Sequence, residues 1–199
     1  MKYTYDMHIH SALSPCAEEE MTPNNIVNMA VLNGLDIIAV TDHNSAGNLQ
    51  AFKECSDRKG IVFVPGIEVE SAEEVHIVCL FADVESACMM GDEVRKNLLP
   101  AENKPDIFGT QLFFDSDDNV TGQEDQMLLF ASGLRLQNCN SFVGILWTVQ
   151  GCEVKKSSAD SSEADPDKIP ESAEVCRRLQ AACRGGGRHS QGRGGEEIP

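Results

Sequence analysis

GLDIIAVTDHNS, residues 34–45, is the stretch that decides how this chain is read. Asp36–Thr41 (DIIAVT) is a short apolar run, as expected of a strand buried on both faces in a parallel sheet. It gives way to Asp42, His43 and Asn44, a polar group where a strand meets its loop. In parallel α/β folds reactive side chains gather at the carboxyl ends of strands. Asp42 and His43 are therefore the first candidates for chemistry. Two roles are open for Asp42: orienting an imidazole as an acceptor, or capping the next helix together with Asn44.

The same alternation extends in both directions. Upstream, Tyr3–Ile9 reads as a strand, with Met7 and Ile9 opposite His8 and His10. Thr22-Pro23 then opens a helix, a good cap followed by a good first-turn residue. Ile26, Val27, Ala30 and Val31 fall on one face of that helix, and Gly34 stops it. Downstream, Ser45–Lys59 is a second helix ended by Gly60, Ile61–Pro65 a third strand, Val75–Phe81 a fourth, and Val84–Leu98 a third helix. This order predicts a parallel sheet with right-handed crossovers. Beyond Pro100 the signal weakens: Ile107–Phe114 reads as helix or strand, 115–119 as a turn, Gln123–Ala131 as a helix and Ser141–Val149 as one more strand.

Candidate ligands line up on the rim that Asp42 and His43 mark. His8 and His10 are two apart on a strand, which puts both imidazoles on one face as a chelate for a transition metal. The plain alternative is a pair of surface histidines. Glu68 follows the third strand and has two oxygens with which to bridge two cations, whereas Glu70 is expected on the other face. His76 is either a core histidine in VHIVCLF or a ligand carried back to the rim by a short hairpin-like link.

Composition bounds the function. Net charge is −16, and all of it lies in residues 1–134, which hold 7 Lys/Arg against 23 Asp/Glu. Such a surface repels a polyanion, so a long polynucleotide partner is not favoured. No apolar run is long enough to span a membrane, and MKYTYDMHIH lacks a signal peptide's apolar stretch. The expected location is cytoplasmic, with the eight cysteines as reduced thiols. No GxxxxGK(S/T), GxSxG or GxGxxG pattern occurs. Two parts are expected: an α/β domain over 1–150, and a low-complexity, disordered tail over 151–199, where Gly and polar residues leave little to bury.

Taken in order, the phrases MHIHSALSPC, GLDIIAVTDHNS, VPGIEVES and EEVHIVCLF resemble the successive early motifs of the PHP family, named for polymerase and histidinol phosphatase. The resemblance runs from about residue 3 to about 134. It implies an α/β fold, a distorted (β/α)7 barrel of the PHP type, incomplete in this chain. It also implies two or three divalent metal ions (Zn, Mn or Fe) at the strand ends, and hydrolysis of a small phosphate ester through a metal-activated water. Family substrates include histidinol phosphate and nucleotide or oligonucleotide phosphates. Carried over by position, His8 and His10 bind one ion, and Glu68 bridges it to a second that His76 also binds. His43 serves a third site or the rim beside the substrate, and Asp42 and His43 are the catalytic candidates. The alternative is a non-catalytic or truncated PHP-like domain that binds metal or a partner without turnover.

Two departures stand out. Ser14-Pro15-Cys16 occupies the place where many relatives carry an acidic residue, so Cys16 is either a soft ligand or an ordinary loop cysteine. The later P-x-H and D-x-H phrases of the family are not found: the one histidine after His76 is His189, and Asp160, Asp165 and Asp167 lie in no strand–loop context. Residues from about 135 are accordingly expected not to be the native C-terminal half. Reading the coding DNA around codons 130–145 in all frames tests this, since a true frameshift restores both phrases.

Overall fold

The computed structural model describes residues 3–135 and 145–148. In chain order the elements are β1 (Tyr5–Ile9), α1 (Pro23–Leu32), β2 (Ile37–Val40), α2 (Leu49–Lys59), β3 (Val62–Glu70), β4 (His76–Leu80), α3 (Val84–Asn97), α4 (Pro105–Phe108), β5 (Leu112–Phe114), β6 (Val120–Gln123) and β7 (Ile145–Thr148). Five strands make one mixed sheet in the order β1-β2-β3-β4-β7, an α/β half-barrel, and β5 and β6 pair separately. β1, β2 and β3 run parallel, as expected.

The sheet is not parallel throughout. β3 runs on past Pro65 to Glu70, and β4 returns beside it antiparallel, with Glu68 opposite Val78 and Glu70 opposite His76. The link between them is too short for a parallel crossover. Ser71 N donates to Val75 O at 3.0 Å and closes it as a hairpin. β7 then pairs antiparallel with the far side of β4, within the span expected for a further strand.

The helices start and stop for local reasons. Thr22 accepts from Asn25 N, Pro23 begins α1, and Ile26, Val27 and Ala30 are buried. Val31, placed on the same face by the sequence pattern, instead lies past the edge of the apolar stripe and is exposed. α2 begins at Leu49 rather than Ser45. Asn44 sits at φ 50, outside the helical region, and does not cap α2. Gly60, at φ 72, ends the helix in the left-handed conformation that glycine adopts without strain.

Gln123–Ala131, expected to be helical, is not. Three of its backbone groups are taken by one buried side chain. Gln111 Nε2 donates to Glu124 O at 2.7 Å and Gln126 O at 2.8 Å, and Gln111 Oε1 accepts from Leu128 N at 3.0 Å. The segment 107–114, open between helix and strand, contains the end of α4 and then β5.

Two apolar clusters sandwich the sheet. The larger lies under the helices and includes Ile38, Val40, Phe52, Phe63, Ile67, Val69 and Ile77. The smaller lines the concave face with Ile37, Ala39, Val64, Val78 and Leu80, and Met7 packs against it. Gly66 belongs to that inner face. A Cβ there would meet Thr41 Cγ2 at 2.6 Å, Leu80 Cδ2 at 3.0 Å and Cys79 O at 3.2 Å. Gly66→Ala is therefore expected to cost about 1–3 kcal/mol by overpacking, read as a lower urea midpoint at unchanged slope.

Cys55 and Cys79 are buried, and Cys16 and Cys88 are exposed free thiols. No helix among the described residues is long and apolar enough to cross a membrane. The boundary near residue 150, the tail, His189, Asp160, Asp165, Asp167 and the remaining cysteines lie outside the described residues.

Candidate metal centre

All five candidate ligands meet at one end of the concave face. β1 delivers two of them through an irregularity. Its register against β2 shifts between Asp6 and Ile9, as at a bulge, which re-aims side chains locally. Met7 consequently packs on the concave face, while Ile9 packs against the opposite cluster. The expectation that Met7 lies opposite the histidines is thus corrected. His8 Nε2 and His10 Nε2 converge, 2.9 Å apart.

β2 and β3 deliver His43 and Glu68 as neighbours. Beyond the end of β2, His43 bridges Glu68 in parallel register. Asn44 N donates to Glu68 O at 2.8 Å, and Glu68 N donates to Asp42 O at 3.1 Å. In the β3–β4 hairpin His76 stands diagonally across from Glu68, within side-chain reach. Glu70, two residues along the same strand, shares that face, contrary to expectation: its Oε2 is 3.8 Å from His76 Nε2. A strand period of two requires this once β3 extends through Glu70.

Glu68 is the hub. Its Oε2 lies 2.8 Å from His8 Nε2 and 3.0 Å from His10 Nε2, its Oε1 lies 2.8 Å from His76 Nδ1, and Oε2 is 3.8 Å from His43 Nδ1. Three donor sets fall within 4.8 Å: His8, His10 and Glu68; His43, Glu68 and His76; and His10, Cys16 and His43. Imidazole, carboxylate and thiol groups at this separation suit a divalent cation cluster.

Behind the ligands is a buried polar web that the sequence did not announce. Asp42 accepts from Ser11 N at 2.7 Å, Ser11 Oγ at 2.6 Å and Ser14 Oγ at 2.7 Å. It acts on the imidazoles one step removed, rather than orienting one directly. The Ser14 hydroxyl spends its proton on Asp42, so its oxygen accepts from His43 N and, at 3.0 Å, from His10 Nδ1. That bond fixes the proton of His10 on Nδ1 and turns Nε2 toward the cluster, the second-layer control that ligating histidines need. Asn44 donates to Leu128 O and Phe130 O and accepts from Glu70 N, stapling the rim to the 128–130 segment. Asn48 ties Ser11 to Leu112 O and Phe114 N.

The cluster is electrostatically polarised. Burial alone would lower the His10 pKa, but the Cys16 sulfur and Glu68 outweigh it and hold the imidazole near 10. Burial pushes His43 down to about 4, against the pull of Glu68, and the neighbouring imidazoles add to the fall. Burial works against ionised Glu68, yet hydrogen bonds from His10 and His8 keep it well below the usual carboxylate range. Asp42 is raised by burial, which exceeds the effect of Ser11 and Ser14. His43 is thus a neutral imidazole at pH 7, with its lone pair free to ligate.

Comparison with known proteins places the residues in context. A family model described as PHP domain matches residues 6–138. A 5'-3' exoribonuclease of Salmonella typhimurium is 31% identical over 90 residues, 43% of this chain and 30% of that protein. A 3',5'-nucleoside bisphosphate phosphatase of Chromobacterium violaceum is 35% identical over 81 residues, 39% of this chain and 27% of that protein. The matched stretch thus spans less than a third of the length of these relatives. Among solved structures, a lesion-specific endonuclease of Pyrococcus furiosus superposes with a TM-score of 0.47 at 16% identity, over 74% of this chain and 34% of that one.

Proposed function

The chain belongs to the PHP domain family over residues 6–138, and on that premise we propose that it is a metal-dependent phosphoesterase acting on a small phosphate ester. One observation carries this reading. Glu68 turns one oxygen to His8 and His10 and the other to His76, so a single carboxylate faces two donor sets at once. His8, His10 and Glu68 would hold one divalent ion, and His43, Glu68 and His76 a second. When bound, such ions supply an activated water and offset charge on the phosphoryl oxygens. Zn, Mn and Fe all suit these donors.

The residues around the ligands divide the remaining work. Ser14 and Asp42 position His10, and burial keeps His43 neutral, with a lone pair for the second ion. The acidic surface argues for a small substrate, since bound cations offset the charge only locally. The exoribonuclease and bisphosphate phosphatase likenesses keep short oligonucleotides and nucleotides within that class. The half-barrel is read as the first part of a distorted (β/α)7 barrel within residues 1–150, with 151–199 as a separate tail.

Loaded with zinc or manganese, the full chain is expected to hydrolyse an aryl phosphate. Changing His8 and His10 together to alanine should lower turnover by at least about 1,000-fold, the several kcal/mol of charge stabilisation a bound ion contributes. Unchanged turnover excludes this site. Ser14→Ala is expected to weaken ion binding by about 10–100-fold, as losses behind metal ligands do, measured by competition with a chelating dye.

A second reading, metal binding without turnover, is favoured by a specific feature. β1 is an open edge of the sheet among the described residues, so one side of the cluster has no neighbouring strand to shape a substrate pocket. Retained metal with no hydrolysis of any aryl phosphate would select it.

A further inference from the structure

Away from the metal centre, a groove of about 710 Å³ lies open between β1 and α1. Ile9, Met21, Ile26 and Leu35 line it, and so do Met29 and Leu32, which are 55% and 78% exposed. Large apolar side chains gathered on one exposed face mark a surface that something covers. The face continues onto β1, which is an edge of the sheet among the described residues. We propose that residues 171–184 of this same chain dock in the groove as an amphipathic helix, covering the open face of α1 beside the β1 edge. The proposal stands apart from the metal-centre reading.

Pattern, charge and reach select this occupant. Within the low-complexity tail, 171–184 is the stretch with apolar side chains at helical spacing. Val175, Cys176, Leu179, Ala182 and Cys183 would share one side of a helix, with Arg177, Gln180 and Arg184 on the other. Pro170 stands where a helix can begin and Gly185 where one ends. Charge matches as well. The described residues lining the groove include Asp6 and Glu20 and no Lys or Arg, and Glu18 and Glu19 directly precede Glu20. Residues 175–193 hold five arginines and no Asp or Glu. A basic segment is drawn to an acidic groove, whereas a second copy presenting the same groove would set acid against acid. The tether is long enough. β7 ends at Thr148 on the edge of the sheet opposite β1, about 20 Å away at ~4.8 Å per strand. Residues 149–170 reach up to about 75 Å when extended. An uncovered edge strand invites pairing with other chains, and a helix laid beside it removes that hazard.

Disulfide trapping in the full chain reads the docking directly, because Cys176 and Cys183 lie on the proposed buried side. Leu32 is exposed, so Leu32→Cys should leave the fold intact. Under mild oxidation the new thiol is expected to join Cys176 or Cys183 of the same chain, seen by mass spectrometry as a linked peptide pair in the single-chain species. Ile107→Cys, on α4 and outside the groove, is the control for random collisions of a tethered segment. It is 68% exposed in the native protein and should form such links at least about tenfold more slowly. Adding Leu179→Asp to Leu32→Cys should slow trapping by about tenfold or more, since the segment loses its central apolar contact. Equal rates from positions 32 and 107, or a rate that Leu179→Asp leaves unchanged, overturn the proposal. A link between two chains overturns it too, by making a second copy the occupant, and so does the absence of any link.

Discussion

Glu68→Gln is expected to lower phosphate-ester hydrolysis by about 1,000-fold or more, the largest functional effect of any single substitution in the chain. The amide has nearly the same size, so the backbone pairing of residue 68 with Asp42, Asn44 and Val78 should persist. What changes is charge and donor count. The carboxylate faces His8 and His10 with one oxygen and His76 with the other. An amide offers one neutral oxygen and a nitrogen that cannot ligate. Two sets of donors then lose their shared anion together. Glu70→Gln is the control. Glu70 shares the face of Glu68 but stands 3.8 Å from a single imidazole nitrogen, so its loss should cost less than about tenfold. Equal losses in the two variants would contradict the hub role of Glu68.

Phe52→Ala is expected to destabilise the fold by about 3–5 kcal/mol, the largest stability effect. Phe52 is fully buried on α2 and stacks on Phe63 of β3, ring centroids 6.1 Å apart. Truncation leaves a cavity between a helix and strands already held in register, so the walls cannot collapse to fill it. Urea denaturation should show a large fall in midpoint at unchanged slope. A loss under about 1 kcal/mol would mean that α2 does not pack on the sheet as described. The consequence reaches the site, because the same strands end in His43 and Glu68.

Much of the frame was legible from periodicity and punctuation. The apolar run Asp36–Thr41 contains β2, Thr22-Pro23 opens α1, and Gly60 closes α2. The HxH pair, His43, Glu68 and His76 were also legible as one group, because strand ends collect on one rim. Their meeting is observed, and their service as ligands is the proposal. Other features depended on partners distant in sequence. The register shift that puts Met7 and His8 on one face has no local signature. Asn44 read as a helix cap, because nothing nearby in the chain points to Leu128 O and Phe130 O. Gln123–Ala131 read as helical, because the partners that divert its backbone bonds (Gln111, Asn44, Ala101 and Asn103) all lie a dozen or more residues away. Glu70 was assigned the wrong face because β3 was expected to stop at Pro65. Ser11 and Ser14 were not singled out as candidates in the sequence. A pair of serines flanking apolar residues directly after HxH was the only available hint of burial.

The claim on which the account turns is that His8, His10, His43, Glu68 and His76 form one divalent-cation centre. Calorimetric titration of zinc into the metal-stripped full chain tests it most directly. The account predicts saturable binding of about two ions per chain, with at least one lost when His8 and His10 are both changed to alanine. Absence of saturable binding, or the same stoichiometry in that variant, would contradict it.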